Sequence, residues 1–336
     1  MEKSQLDIIN LKQKLARELR MDPYGQSIEP SLIVFLAVLV RFGYTQNIKE
    51  IDGKTKEWID SAVSNKSGAH PEIITEIYKC FELSFNSMSE PTLFDLVVEL
   101  KAILNLSDEE FRKHIEELVK IATDDLARMP HNFDLPEGLA NLMYGIAKVD
   151  SHQKIEIYNP FSSTGDLLIG YNGNVNITAK EQNNINWAIS MLRFLAAGNI
   201  ENANILNEDP IGNWNFKDNK YDLILSVPPF GLKIGERQTT GKFGYFRSIE
   251  HFIVERGIES LKQEGRLIIT IPQGFLFNSD NYSRQLKQFL VDQNYLEAVI
   301  NLPKGIFSFT NILTTVLVIH KSNKPKKVKF IDGILH

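Results

Sequence analysis

The chain has 336 residues, 43% hydrophobic and 24% charged, a globular composition whose length suits one large domain or two ordinary ones. A formal net charge of −5 argues against tight autonomous binding to nucleic acid, because neutralising phosphates needs clustered Lys and Arg. The single cysteine, Cys80, excludes a disulfide framework, and the seven histidines show no ligand-like spacing with it, so no structural metal is expected.

The first residues, MEKSQLDIINLKQK, lack the apolar core and small-residue cleavage site of a signal peptide. The longest apolar run, Leu32–Val40, is shorter than the roughly 20 residues that span a bilayer, and a cytoplasmic location is expected. From residue 4 to about 128 the pattern is helical. Ile8, Leu11, Leu15 and Leu19 share a face, and Ser107 with Glu110 forms a capping box ahead of Phe111, Ile115, Leu118 and Ile121. Pro23, Gly25, Pro71 and Pro91 punctuate these helices. A helical N-terminal domain over 1–129 is the expectation.

After Met129-Pro130 the pattern changes to β-rich runs at 155–160, 175–181, 203–209, 221–227, 266–273, 296–303 and 314–321. Helical stretches such as Asn184–Ala197 and Ser248–Leu261 separate them. Near-continuous Val, Ile and Leu strands alternating with helices predict an α/β domain over 130–336, with a mostly parallel seven-stranded sheet covered on both faces. The basic run from Lys321 to Lys329 lies between apolar strand-like runs; it reads as a solvated hairpin loop or as a phosphate-contacting patch.

In a doubly wound sheet the ligand sits beyond the strand C-termini at the switch point, under the turn that follows the first strand. That turn is Asn159-Pro160-Phe161-Ser162-Ser163-Thr164-Gly165, which alone reads equally as a plain strand-to-helix turn. Glu181 ends the second strand, where an acid takes two ribose hydroxyl donors at once. Asp209 ends the third and can accept from an adenine amine, with Pro210 and Ile211 against the ring. Either acid singly also fits a helix N-cap or a solvated strand end; their ordered succession favours a ligand.

The fourth strand leads into YDLILSVPPFG (221–231). Pro228 and Pro229 have a locked φ and no N–H, so the backbone stays extended and the Pro228 C=O points where only a donor satisfies it. Phe230 offers a flat face to a planar ring. The segment resembles the catalytic motif of amino-methyltransferases, an Asp, Asn or Ser followed by Pro-Pro and an aromatic. Its first position here is Val227, whose side chain accepts no hydrogen bond.

From about Leu135 to Asp332 the chain resembles the modification subunit of type I restriction-modification systems, in the N6-adenine DNA methyltransferase family. YNPFSSTGDLL (158–168) stands where that family carries its Asp-Pro-x-x-Gly-x-Gly cofactor loop, and VPPFG stands where it carries Asn-Pro-Pro-Phe. KFGYF (242–246), HFIVERGIESLKQEGRLIITIPQGFLF (251–277), LEAVINLPKGIFSFTNILTTVLVIHK (296–321) and VKFID (328–332) look like its later blocks, and the helix from Pro136 to Ile146 resembles its cofactor-flanking helix. The resemblance implies a Rossmann-like class I methyltransferase fold and S-adenosylmethionine as cofactor. It implies cofactor contacts from Asn159, Pro160, Phe161, Ser163, Gly165, Glu181, Asp209 and Pro210, and a catalytic turn of Val227, Pro228, Pro229 and Phe230. It also implies DNA as substrate, with a specificity subunit and a restriction subunit as partners.

The departures cluster. Asn159 replaces an acid, Ser163 brings a Cβ where glycine is expected, Asp166 adds charge, and 165–175 leaves room for only a stub of helix. Together with Val227 these predict weak cofactor binding and methyl transfer that is weakened or lost. A catalytically inactive homologue serving as a DNA- or partner-binding scaffold, or an enzyme acting on another planar amide or amine, are the competing expectations. Ser226 is the obvious substitute acceptor, but adjacent strand residues point to opposite faces. Phe243 and Tyr245 read equally as walls of a base pocket and as ordinary cover on the sheet.

Overall fold

The computed structural model describes residues 30–46, 48, 53–126, 135–147, 153–214, 219–234, 240–307, 310–322, 324 and 327–333. The predicted face of Ile8, Leu11, Leu15 and Leu19, with Pro23 and Gly25, lies outside them. The chain divides into two compact units, one of residues 1–126 with 184–199 and one of 127–183 with 200–336.

Helices come first: α1 (Pro30–Arg41), α2 (Thr55–Ser64), α3 (Pro71–Ser87), α4 (Glu90–Leu100) and α5 (Asp108–Leu126). Helix α1 is apolar all round and buries Ser31 to Val40, as expected of a central helix. Its terminal Arg41 donates to the carbonyls of Ile103 and Leu106, at 3.2 and 2.9 Å, and to Asp108. The Glu90 carboxylate of α4 accepts the Thr55 N–H at 2.8 Å, so one helix caps the start of another. The capping box at α5 forms as predicted: Ser107 N–H donates to Glu110 at 2.9 Å, and Glu110 N–H to the Ser107 hydroxyl at 3.3 Å.

Then follow α6 (Glu137–Ala147), β1 (Ile155–Asn159), β2 (Val175–Lys180), α7 (Asn184–Ala196), β3 (Ala203–Leu206), β4 (Tyr221–Ser226), the small hairpin β5 (Thr240–Gly241) and β6 (Gly244–Tyr245), α8 (Ile249–Ser260), β7 (Leu261–Pro272), the single turn α9 (Gly274–Phe277), α10 (Asn281–Asp292), β8 (Leu296–Asn301), β9 (Thr314–His320) and β10 (Lys329–Asp332). Helix α7 groups with α1–α5; its Arg193 reaches Glu116 on α5 at 3.0 Å.

Among the described residues the main sheet has eight strands, in the order β10-β8-β9-β7-β4-β1-β2-β3. All run parallel except β9, antiparallel to both its neighbours. The expected seven strands are there, and β10 adds an eighth. It pairs with β8 rather than β9, so the segment after β9 crosses over instead of closing a hairpin. Lys321 there is engaged, donating to the Leu261 carbonyl at 2.7 Å.

Alternation along the strands covers both faces. Leu267, Ile269 and Ile271 of β7 join Tyr158 and Ile224 in a core with Phe252 and Ile253 of α8 and Leu286 and Leu290 of α10. Thr270, between them, faces the other way, its hydroxyl 3.8 Å from Met143 of α6. After β1 the chain builds outward through β2 and β3, then returns to place β4 on the other side of β1. The switch point therefore lies between the tips of β1 and β4, the position where doubly wound sheets bind ligands. Among the described residues no helix is long and apolar enough to cross a membrane.

Candidate functional site

The loop after β1 is sewn to the tip of β2. Asn159 is buried; its Oδ1 accepts the Phe161 N–H at 3.2 Å, while its Nδ2 has no partner among the described residues. Ser162 N–H donates to the Lys180 carbonyl at 3.0 Å. Ser163 has φ +49 and Gly165 φ +88, so the serine occupies left-handed backbone that glycine adopts at no steric cost. The family's glycine is lost in composition but kept in conformation.

No helix follows. Leu168 and Ile169 N–H both donate to the Gly165 carbonyl, at 2.9 and 3.0 Å, closing turns that run to Gly170. Tyr144 of α6 holds them: its hydroxyl donates to the Asp166 carbonyl at 2.8 Å and accepts the Gly170 N–H at 3.2 Å. A Cβ at Gly170 would stand 2.9 Å from the Tyr144 ring. The Asp166 carboxylate accepts the Thr164 hydroxyl at 2.8 Å, so its charge is partly matched within the loop.

Glu181 follows β2 directly. Its Oε2 accepts the Ser163 N–H at 2.9 Å and its Oε1 the Asn183 N–H at 2.8 Å. Burial pushes its carboxyl above the ordinary value, against the lowering effect of backbone N–H groups of Asn183, Ser163 and Gln182. Each oxygen keeps a second lone pair for a hydroxyl donor. Asp209 lies three residues past β3 and accepts the N–H groups of Ile211 and Gly212, at 2.9 and 3.2 Å. It organises its own turn, with Pro210 buried beside it.

Lys180, the last residue of β2, is fully buried and was not singled out from the sequence. Its ammonium pairs with Glu208 at 2.7 Å and donates to the Asn213 carbonyl. It thus fixes the Asp209 turn to the strand that carries Glu181. A lysine closing the otherwise uncharged VNITAK is the signal that marked it.

The tip of β4 carries the Pro-Pro-Phe turn. Ser226 is fully buried and its hydroxyl has no partner among the described residues; alternation puts it on the face opposite Val227, so it does not replace the missing acceptor. No described donor reaches the Pro228 carbonyl. Phe230 is half-buried, its ring in a T-shaped contact with Phe307, centroids 5.1 Å apart. Gly231, at φ +70, donates its N–H to the buried Glu250 carboxylate of α8 at 2.8 Å, and Ile249 N–H donates to the Leu232 carbonyl at 2.9 Å. Glu250 and Phe307 are contributions across many residues of sequence that no local pattern announces. Of the two aromatics considered for a base pocket, Phe243 packs on Tyr282 and Phe289, and Tyr245 is exposed. Among the described residues no cluster of His, Cys, Asp or Glu could hold a metal ion.

The donor set at the switch point suits an adenosine-bearing cofactor. Left-handed backbone at Ser163 and Gly165 brings the loop close, Glu181 keeps free lone pairs at the tip of β2, and the buried Asn159 amide keeps an unmatched donor.

Comparison with known proteins bears on this arrangement. The methylase subunit of the type I restriction enzyme MpnII from Mycoplasma pneumoniae is 24% identical over 92% of this chain, which spans 64% of that subunit's length. The crystal structure of a type I restriction-modification methyltransferase subunit from Streptococcus thermophilus superposes with a TM-score of 0.70 at 18% identity, covering 98% of this chain and 87% of that one. A class I S-adenosylmethionine-dependent methyltransferase structure from Listeria monocytogenes gives 0.60 at 17% identity, covering 91% and 93%. These likenesses establish the class I methyltransferase fold. Residues 116–334 match the N-6 DNA Methylase family, well over half of the chain, and the protein belongs to that family.

Proposed function

We propose that this chain is an S-adenosylmethionine-dependent adenine-N6 DNA methyltransferase of the type I modification-subunit kind, with a helical domain over 1–129 ahead of a methyltransferase domain over 130–336. The single observation that carries the reading is the convergence of the Asn159–Gly165 loop, Glu181, Asp209 and the Pro-Pro-Phe turn on the tips of four adjacent parallel strands.

In this reading Glu181 binds the ribose hydroxyls, and Asp209 with Pro210 takes the adenine of the cofactor. The backbone of Asn159, Pro160, Phe161, Ser163 and Gly165 would hold its amino-acid end. The cofactor supplies an electrophilic methyl group on a sulfonium. The target adenine leaves the duplex, stacks on Phe230 and gives one amine N–H to the Pro228 carbonyl, while Pro229 keeps the turn rigid. With valine at 227 one orienting hydrogen bond is missing, so transfer is slow. The acidic balance of the chain makes a specificity subunit the main source of grip on DNA, with a restriction subunit as a further partner in a cytoplasmic assembly.

Val227 itself favours a second reading, in which the chain has lost transfer and persists as a scaffold for DNA or partners. Calorimetric titration with S-adenosylmethionine separates the two. The methyltransferase reading expects saturable one-site binding that Ser163→Gly tightens. Absence of binding by both proteins would leave only the scaffold.

A further inference from the structure

Glu250 is 98% removed from solvent, with a relative exposure of 2%. One carboxylate oxygen, Oε1, accepts the N–H of Gly231, the residue that follows Phe230. The other, Oε2, has neither a hydrogen bond nor a salt bridge to any of the described residues. Oε2 is not one of the side-chain atoms closed off from solvent, so beside the reactive turn it is open to a donor that arrives from outside the protein. The position in the first turn of α8 favours negative charge. A second unmatched acceptor, the Pro228 carbonyl, lies on the same turn three residues before Gly231.

We propose that Glu250 supplies the acceptor that Val227 cannot. Oε1 holds the Pro-Pro-Phe-Gly turn through Gly231, and Oε2 takes an N–H of the exocyclic amine whose other N–H goes to Pro228. The ligand class is therefore a planar heterocycle that carries a primary amine, held edge-on by two acceptors and face-on by Phe230. A carboxylate from the neighbouring helix stands in for the strand-borne asparagine, which slows transfer rather than abolishing it. The inference rests on the adenine-methyltransferase reading above and adds a residue outside its motifs.

The test is binding, with no cofactor or turnover needed. The full chain is titrated by fluorescence anisotropy with a labelled single-stranded oligothymidine carrying one internal deoxyadenosine, and with the same strand carrying a purine lacking the 6-amino group. The phosphates on both sides keep the base out of a nucleoside cofactor pocket. The parent is expected to prefer deoxyadenosine by about tenfold, the scale of one hydrogen bond to a charged acceptor. Glu250→Gln keeps a carbonyl for Gly231 but turns an N–H₂ toward the amine, and should erase the preference while the melting temperature holds. Adding Val227→Asn to Glu250→Gln should restore it. A preference kept intact in Glu250→Gln would overturn the role of Glu250 and leave the adenine reading standing. Equal affinity of the parent for the two strands, titrated at low salt where the acidic chain still binds, would remove both.

Discussion

Ser163 stands under more backbone tension than any other residue of the cofactor loop. Left-handed backbone costs a residue with a Cβ on the order of 1 kcal/mol, and the structure accepts it because the Ser163 N–H is thereby delivered to Glu181. Ser163→Gly should raise stability by up to about 1 kcal/mol as well as tighten cofactor binding; a lower melting temperature would show that the hydroxyl has a structural role of its own. Glu181 should behave in the opposite sense. Its carboxyl is held above the ordinary value by burial, so ionisation at neutral pH works against folding and is relieved as pH falls through the raised value. Glu181→Gln removes the buried charge but sets an N–H₂ against one of the two backbone N–H groups that the carboxylate accepts, so it should flatten the rise of stability with falling pH and weaken S-adenosylmethionine binding at least tenfold, the scale of a charged hydrogen bond. Loss of stability with unchanged affinity would mean that Glu181 only braces the loop. At this scale the strand-tip acids and the Pro-Pro-Phe turn were legible because short motifs carry them. The expectation that Ser163 simply crowds the loop was incomplete, because φ is invisible in a residue name.

Two elements hold the site in place, and each can be probed. Lys180 anchors the turn of Asp209 from the tip of β2. Since Glu208 is 40% exposed on its side chain, Lys180→Met leaves that carboxylate free to hydrate. The variant should therefore lose cofactor affinity more than stability, which calorimetry and a thermal melt measure side by side; an equal fall in both would mark Lys180 as an ordinary core contact. The starts of α8 and α10 are joined by His251, whose ring nitrogens meet the hydroxyls of Ser248 and Ser283 at 3.0 and 2.9 Å. Burial, with Lys287 and Arg247 nearby, pushes the imidazole down to about 4 despite the opposing charge of Asp280. The fold thus holds it neutral, whereas the unfolded chain protonates it near 6.5. Stability from this group is complete above about 6.5 and falls away as pH drops toward 4, a loss on the order of 3 kcal/mol. Thermal melts between pH 7 and 4.5 should show the slope, and His251→Gln should flatten it; an unchanged slope would assign the acid sensitivity elsewhere. Helix and strand positions were readable from periodicity and from caps such as Ser107 with Glu110. The partner of β10 was not, because which strand a short apolar run joins is decided by packing far along the chain.

Across the whole molecule, charge and fold together set what the chain can do alone. With a net charge of −5, it should bind duplex DNA poorly at physiological salt and lose what affinity it has steeply as salt rises, because counterion release supplies most non-specific binding. Sub-micromolar binding alone in a salt titration would argue against dependence on a specificity subunit. The fold class was legible because alternating strands and helices leave few topologies, and the switch point then locates the site. The contributions of Lys180, Tyr144, Glu250 and Phe307 were hidden, since each reaches the site from an element whose own sequence advertises only a helix, strand or loop. The most direct measurement is to incubate the protein with a specificity subunit, duplex DNA and S-adenosylmethionine labelled at its methyl group, and to locate the label by mass spectrometry of the nucleosides. Slow formation of labelled N6-methyladenine, accelerated by Val227→Asn, is the predicted result; cofactor bound by calorimetry yet no label on adenine N6 from either protein would contradict it.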